Sequence, residues 1–178
     1  MGKNRSSNGI NKEGYDYEEI SDELLDKVTE GLENYTNYED LSFMDDDEIT
    51  DYIDSQMDIS THQFTRVDKL EHFPDISEGD EIEFNSYYVS FSESMDASIE
   101  YLNKMNNTSE HIIFRTNGEV KNFDMYEYTP SEYDWQEEHL LYGYPNGEGW
   151  IVDNVRDVSD DPTYANGEKI LLVDIHQK

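Results

Sequence analysis

The apolar residues of this chain change period near Ser60, and that change decides which folds are open to it. Ile20, Leu24, Val28 and Leu32 recur every four residues, one stripe of a helix. Ile49, Tyr52, Ile53 and Met57 predict a second helix over about 45–57. The run Asp45-Asp46-Asp47-Glu48 suits its N-terminus, where the helix dipole favours negative charge. After Ser60 the pattern becomes extended. His62–Val67 reads as a short strand. Glu81–Ser92 alternates, with Tyr87, Val89 and Phe91 on one face and Ser86, Tyr88, Ser90 and Ser92 on the other. A helix over about Met95–Met105 interrupts the strands, with Ser94 as its N-cap and Ile99, Leu102 and Met105 inward. His111–Thr116, Gln136–Tyr142, Gly149–Val155 and Lys169–Ile175 are further extended runs, and Asn117-Gly118 is a tight turn. Helices first and strands afterwards is an α+β order, not an alternating βαβ order. No GxGxxG follows a strand, so a Rossmann mode of binding has no support.

Three segments are expected: a flexible polar and acidic arm over 1–15, an N-terminal helical segment over 16–59, and a strand-rich domain over 60–178. Lysine and arginine number 12 against 43 aspartates and glutamates, a formal net charge of −31. Such a balance argues against nonspecific binding to nucleic acid or anionic membrane, since both need positive charge. A disordered acidic chain fits only the N-terminal portion, because later segments alternate cleanly and carry many aromatics. Two readings remain: a nucleic-acid mimic, and a protein of a salt-rich cytoplasm or its virus. The spread of acids over the whole chain and the scarcity of lysine favour the second. The absence of cysteine excludes a disulfide framework, a thiolate zinc site and a cysteine nucleophile. No apolar run approaches the ~18 residues of a membrane span, and Met1–Gly14 has no signal-peptide core. The expected location is the cytoplasm, with packaging in a virion or injection into a host equally compatible. Asn34-Tyr35-Thr36 and Asn106-Asn107-Thr108 match the glycosylation pattern, a short match common by chance.

Three positions stand out, each with an ordinary alternative. Arg66 is the only lysine or arginine between Lys27 and Lys69. A lone arginine is most often a surface ion pair, but its planar fork of donors also suits phosphate or ribose oxygens. Ser90 lies on the polar face of an alternating strand. Without a G-x-S-x-G elbow it is not a hydrolase nucleophile, and its alternatives are a solvated hydroxyl or an orienting hydrogen bond. Glu138 is one carboxylate among 43, yet it begins Glu138-His139-Leu140-Leu141, where a carboxylate entering an apolar strand needs a partner. In a regular strand Gln136 and Glu138 share a face while Glu137 points away. His139 reads as a packing or surface histidine. His111, His139 and His176 have no ligand spacing, and Asp45-Asp46-Asp47-Glu48 lacks the calcium-loop pattern, so no metal is expected.

Arginine, then serine, then Gln-x-Glu, each on an extended segment, resembles the mono-ADP-ribosyltransferase family over roughly 60–176. Phe64-Thr65-Arg66 is similar to that family's first-strand arginine. Ser86-Tyr87-Tyr88-Val89-Ser90-Phe91-Ser92 resembles its aromatic-x-Ser-Thr-Ser strand, with Phe91 in place of the threonine and Glu93 adding charge beside it. Met95–Asn103 resembles the following helix, and Ser131–Leu141 the loop and strand carrying the Gln/Glu-x-Glu pair. The resemblance implies a split, mixed and antiparallel sheet with N-terminal helices. It implies NAD as substrate, with Arg66 on the phosphates and nicotinamide ribose. Ser90 would orient that ribose and Glu138, and Glu138 would be the catalytic carboxylate. Gln136 would place a macromolecular acceptor, a protein amide or nucleobase in preference to arginine, and Tyr133 and Trp135 would line the acceptor loop. Two other functions stay open: a non-enzymatic acidic binding protein or nucleic-acid mimic, and an NAD glycohydrolase.

Overall fold

The computed structural model describes residues 20–105, 110–129, 137–164 and 169–178. Two compact units emerge, one of Met1–Asp58 with Phe123–Asp134 and one of Ile59–Asn122 with Trp135–Lys178. The first boundary falls where the hydropathy period changes. The return of 123–134 to the helical unit has no such mark in the sequence.

In the smaller unit helix α1 spans Asp22–Tyr38, starting at Ser21, whose hydroxyl accepts from the Leu24 amide. It stops at Glu39, which takes a left-handed φ of 56° while the Asp40 amide reaches back to the Asn34 carbonyl. Val28 and Leu32 are its fully buried stripe. Gly31 lets a 3₁₀ turn at Ser42–Asp45 approach, since a Cβ there would lie 2.7 Å from the Phe43 Cβ. Helix α2, Asp47–Ser55, is capped by Asp46, which accepts from the Glu48 and Ile49 amides, and it buries Ile49, Tyr52 and Ile53. Phe123 stacks on Tyr128, whose hydroxyl lies 2.8 Å from that of Tyr52. These aromatic contacts explain why 123–129 packs with the helices.

Among the described residues nine strands form one mixed sheet. They are β1 (Asp58–Ser60), β2 (Thr65–Lys69), β3 (Glu81–Ile82), β4 (Tyr88–Ser92), β5 (His111–Asn117), β6 (Val120–Asp124), β7 (Glu138–Tyr142), β8 (Trp150–Asp157) and β9 (Ile170–Gln177), in the spatial order β1-β6-β7-β4-β2-β5-β9-β8-β3. β5 runs parallel to β9 and antiparallel to β2. It is central and buried on both faces, which its run of apolar residues anticipates. Ile112 and Phe114 face an aromatic core with Phe84, Phe91 and Trp150, while Ile113 faces Leu102 and Leu172. Leu102 belongs to helix α3, Met95–Met105, which is capped by the Ser94 hydroxyl on the Ala97 amide.

One expectation is corrected. The single strand over 81–92 is two, because Gly143 closes onto 84–87. Its amide donates to the Tyr87 carbonyl and its carbonyl accepts from the Phe84 amide, at 2.9 and 3.1 Å. At Asn117-Gly118, where Gly118 takes φ 73°, the chain turns between β5 and β6, which are not neighbours in the sheet. No described helix is long and apolar enough to cross a membrane.

Candidate active site

The site lies where β2 and β4 part. Their registered pairing is confined to Thr65 opposite Ser92, whereas β2 keeps five pairs with β5 and β4 keeps five with β7. A carbonyl on the parted edge needs a donor from elsewhere. Arg66 supplies it: Nη1 donates to the Ser90 carbonyl at 2.9 Å. Nε lies 3.4 Å from Asp68 Oδ2, and the guanidinium carbon sits 5.8 Å from the centre of the Phe84 ring. Asp68 is itself fixed, accepting from the Lys69 amide at 2.8 Å and meeting His72 Nδ1 at 2.9 Å. The guanidinium is therefore oriented on two edges and one face. A guanidinium has five N–H donors, more than these contacts use.

On the other side of β4, Ser90 is opposite Leu140 and Ser92 opposite Glu138. Ser90 and Glu138 are thus diagonal neighbours on one face, within side-chain reach. The Ser90 hydroxyl donates to Glu138 Oε1 at 2.8 Å. Both residues are half-buried, and His139, Leu140 and Leu141, which follow, are buried. The carboxylate entering the apolar strand has the partner it needs, and Arg66, Ser90 and Glu138 form one hydrogen-bonded chain.

The geometry before Glu138 departs from expectation. β7 begins at Glu138, and Glu137 has a left-handed φ of 50°. The regular strand alternation of β7 therefore starts at Glu138. Gln136, Tyr133 and Trp135 lie outside the described residues. Glu137 is not simply turned to solvent: its Oε1 accepts from the Ser94 hydroxyl at 2.7 Å and its carbonyl from the Glu93 amide at 2.9 Å. The left-handed conformation costs a side-chain-bearing residue roughly 1–2 kcal/mol, so these contacts offset a local strain.

His139 is a packing histidine, 8% exposed, with Nδ1 3.0 Å from Asn122 Oδ1 and its ring against Phe64. Its Nε2 lies 3.5 Å from Glu93 Oε2, and His62 Nε2 meets the Glu93 carbonyl. His111 and His176 sit at opposite ends of the β5–β9 ladder, about 20 Å apart at the rise of a strand. Among the described residues no group of three or more histidines and carboxylates is placed to hold a metal. Arg115 makes a two-point pair with buried Asp174, at 2.7 and 3.2 Å, and hydrogen bonding to that carboxylate holds its pKa above the ordinary arginine value. Its role is structural, and Arg66 differs in taking a main-chain carbonyl. Sequence reasoning missed Asp68, Phe84 and the Glu93–Ser94 contacts. Asp68 carried a signal, two residues after Arg66 on the same strand. Phe84 carried none, because its approach depends on the break between β3 and β4.

No protein-family model matches the chain, and no curated protein matches it by sequence. Solved structures do. The Vis toxin, an ADP-ribosyltransferase from Vibrio splendidus, superposes with a TM-score of 0.55 at 11% identity, covering 97% of this chain and 79% of that one. C3stau2 from S. aureus, solved with NAD, gives 0.55 at 13% identity over 90% and 89%. An ADP-ribosyltransferase from Clostridium botulinum gives 0.53 at 11% over 85% and 87%. At these identities the fold is what is shared: the α+β fold of ADP-ribosyltransferase toxins, with a mixed sheet.

Proposed function

We propose that this chain is an NAD-dependent mono-ADP-ribosyltransferase. The observation that carries the reading is the chain of hydrogen bonds from Arg66 through Ser90 to Glu138. A cation with donors beyond those its contacts to the described residues use, and a carboxylate fixed by a hydroxyl, stand on either side of β4. A dinucleotide needs both, a cation for its pyrophosphate and a carboxylate beside the ribose that loses nicotinamide. The NAD in the structure of C3stau2, which shares the fold, supports the same substrate here.

The reaction breaks the bond between the ribose anomeric carbon and the nicotinamide nitrogen, which keeps the electron pair. The acceptor nucleophile bonds to that carbon and loses its proton. Positive charge develops on the ribose in the transition state, as in glycoside cleavage, and a carboxylate aimed there before reaction lowers the barrier. Glu138 has that role, accepting from the ribose 2′-hydroxyl. Ser90 fixes Glu138, and Arg66 holds the phosphates. Gln136 would orient the acceptor, favouring an amide or nucleobase over arginine, with Tyr133 and Trp135 beside it. The acidic surface fits a protein of a salt-rich cell or its virus.

Glu138→Ala tests the assignment. Nicotinamide release and transfer of labelled ADP-ribose from NAD should fall by about 10²- to 10³-fold or more, with the thermal midpoint retained. Activity surviving the substitution would remove this mechanism. Nicotinamide release by the wild type without labelled macromolecule, in extracts at low and high salt, would point to hydrolysis instead.

A further inference from the structure

We infer that Glu137 is a positioning residue: a left-handed pivot, locked by Ser94 and Glu93, that aims Glu138. This rests on the transferase reading above, and deepens it.

The residue between the two members of a Gln-x-Glu pair is a spacer if the segment is a plain strand. Here it is not one. Glu137 stands at φ 50°, a conformation that side chains other than glycine rarely hold without help from their surroundings. The help is visible on both sides of the residue. Its carbonyl accepts from the Glu93 amide at 2.9 Å, one step past the last registered pair of β4 and β7, Ser92 opposite Glu138. Its carboxylate accepts from the Ser94 hydroxyl at 2.7 Å. That hydroxyl also caps α3 through the Ala97 amide at 3.2 Å. Glu93 is in turn held by His62 on its carbonyl and faces His139 across 3.5 Å. The pivot is therefore tied to the end of β4 and the start of α3. An unlocked residue 137 would relax toward ordinary extended backbone. That relaxation loosens the first residue of β7, which is Glu138.

Three substitutions separate the lock from mere folding. Glu137→Ala keeps the unfavourable backbone and removes the tether. Glu137→Gln keeps an oxygen for the Ser94 hydroxyl. Glu137→Gly removes both tether and strain. With labelled NAD and an acceptor-containing extract, Glu137→Ala should lower transfer by about 10- to 100-fold. NAD KM should stay near the wild-type value while kcat for nicotinamide release falls with transfer. Glu137→Gln should restore kcat, and Glu137→Gly should fall between them. A second readout needs no activity. Amide hydrogen exchange at Glu93 should be about tenfold faster or more in Glu137→Ala, as for an opened local contact, and return toward wild type in Glu137→Gln. Wild-type transfer and exchange in Glu137→Ala would overturn the proposal. A wild-type protein that cleaves no NAD would instead defeat the transferase reading, and the exchange arm would still decide whether Glu137 is locked.

Discussion

Arg66 is oriented by a main-chain carbonyl, a carboxylate and an aromatic face, and each constrains a different part of the guanidinium. A lysine carries the same charge but no planar fork, and cannot meet the three together. Arg66→Lys should therefore raise the NAD KM by about 10- to 100-fold, the worth of one lost hydrogen bond to a charged group, with a smaller change in kcat. Steady-state titration of NAD checks it, and an unchanged KM would detach Arg66 from the dinucleotide. At this scale the sequence was most legible where strand alternation holds. Ser90 shares a face with Glu138 because β4 and β7 are regular up to that point. The reading broke down one residue earlier. Nothing in Trp135-Gln136-Glu137-Glu138 announces a positive φ, since glutamate is a poor choice for it, and the contacts that hold it come from Glu93 and Ser94, more than forty residues away.

Elements are joined at a few close approaches that tolerate no added atoms. A Cβ on Gly143 would lie 2.0 Å from the Ser86 carbonyl oxygen, which is backbone and cannot swing aside. Gly143→Ala should cost about 2 kcal/mol or more, among the larger effects of single substitutions, and should loosen the 84–87 crossing. Equilibrium urea unfolding measures it, and a cost within error of zero would mean the crossing yields easily. The break it imposes between β3 and β4 was invisible to alternation, which reads 81–92 as one run. Helices were easier, because caps are local. Asp46 caps α2 and pairs with Lys27 of α1 at 3.0 Å. Hydrogen bonding to that ammonium comes first among the causes that hold its carboxyl below the ordinary value of 3.8. A depressed carboxyl contributes stability above its unfolded value and loses it as pH falls through the lower folded one. Asn keeps the cap and drops the charge. The difference in thermal midpoint between wild type and Asp46→Asn should be constant above about pH 5 and shrink below the ordinary carboxyl value. A difference that grows on acidification would show that the pairing is not its source.

At the scale of the whole molecule, charge is the dominant property. The excess of 43 acidic over 12 basic residues leaves −31, and the described ion pairs absorb little of it: Lys27, Arg66, Arg115 and Lys178 each face a carboxylate. The fold class survived this excess in the sequence because hydropathy period is indifferent to the sign of charge. The helical stripe and the strand alternation both remain readable among the acids. The extent of the smaller unit was only half legible. Its first part ends where the period changes, but the described residues 123–129 join it through Phe123, Tyr128 and Tyr52, aromatic contacts with no periodic signature. Unpaired like charges repel over a distance set by salt, about 10 Å at 0.1 M and 3 Å at 1 M. Compacting this chain at low salt therefore works against its own field, and added salt should relieve the folded state more than the expanded one. The thermal midpoint should rise steadily from about 0.05 to 1 M sodium chloride by differential scanning calorimetry, over the range in which the screening length shrinks past the spacing of surface charges. NAD turnover should not collapse over the same range if the Arg66 contacts are short and half-buried, because such pairs are screened less than exposed ones. A midpoint that is flat or falls with salt would mean the acidic surface is neutralised by something other than screening, and would favour a basic partner as its counterpart.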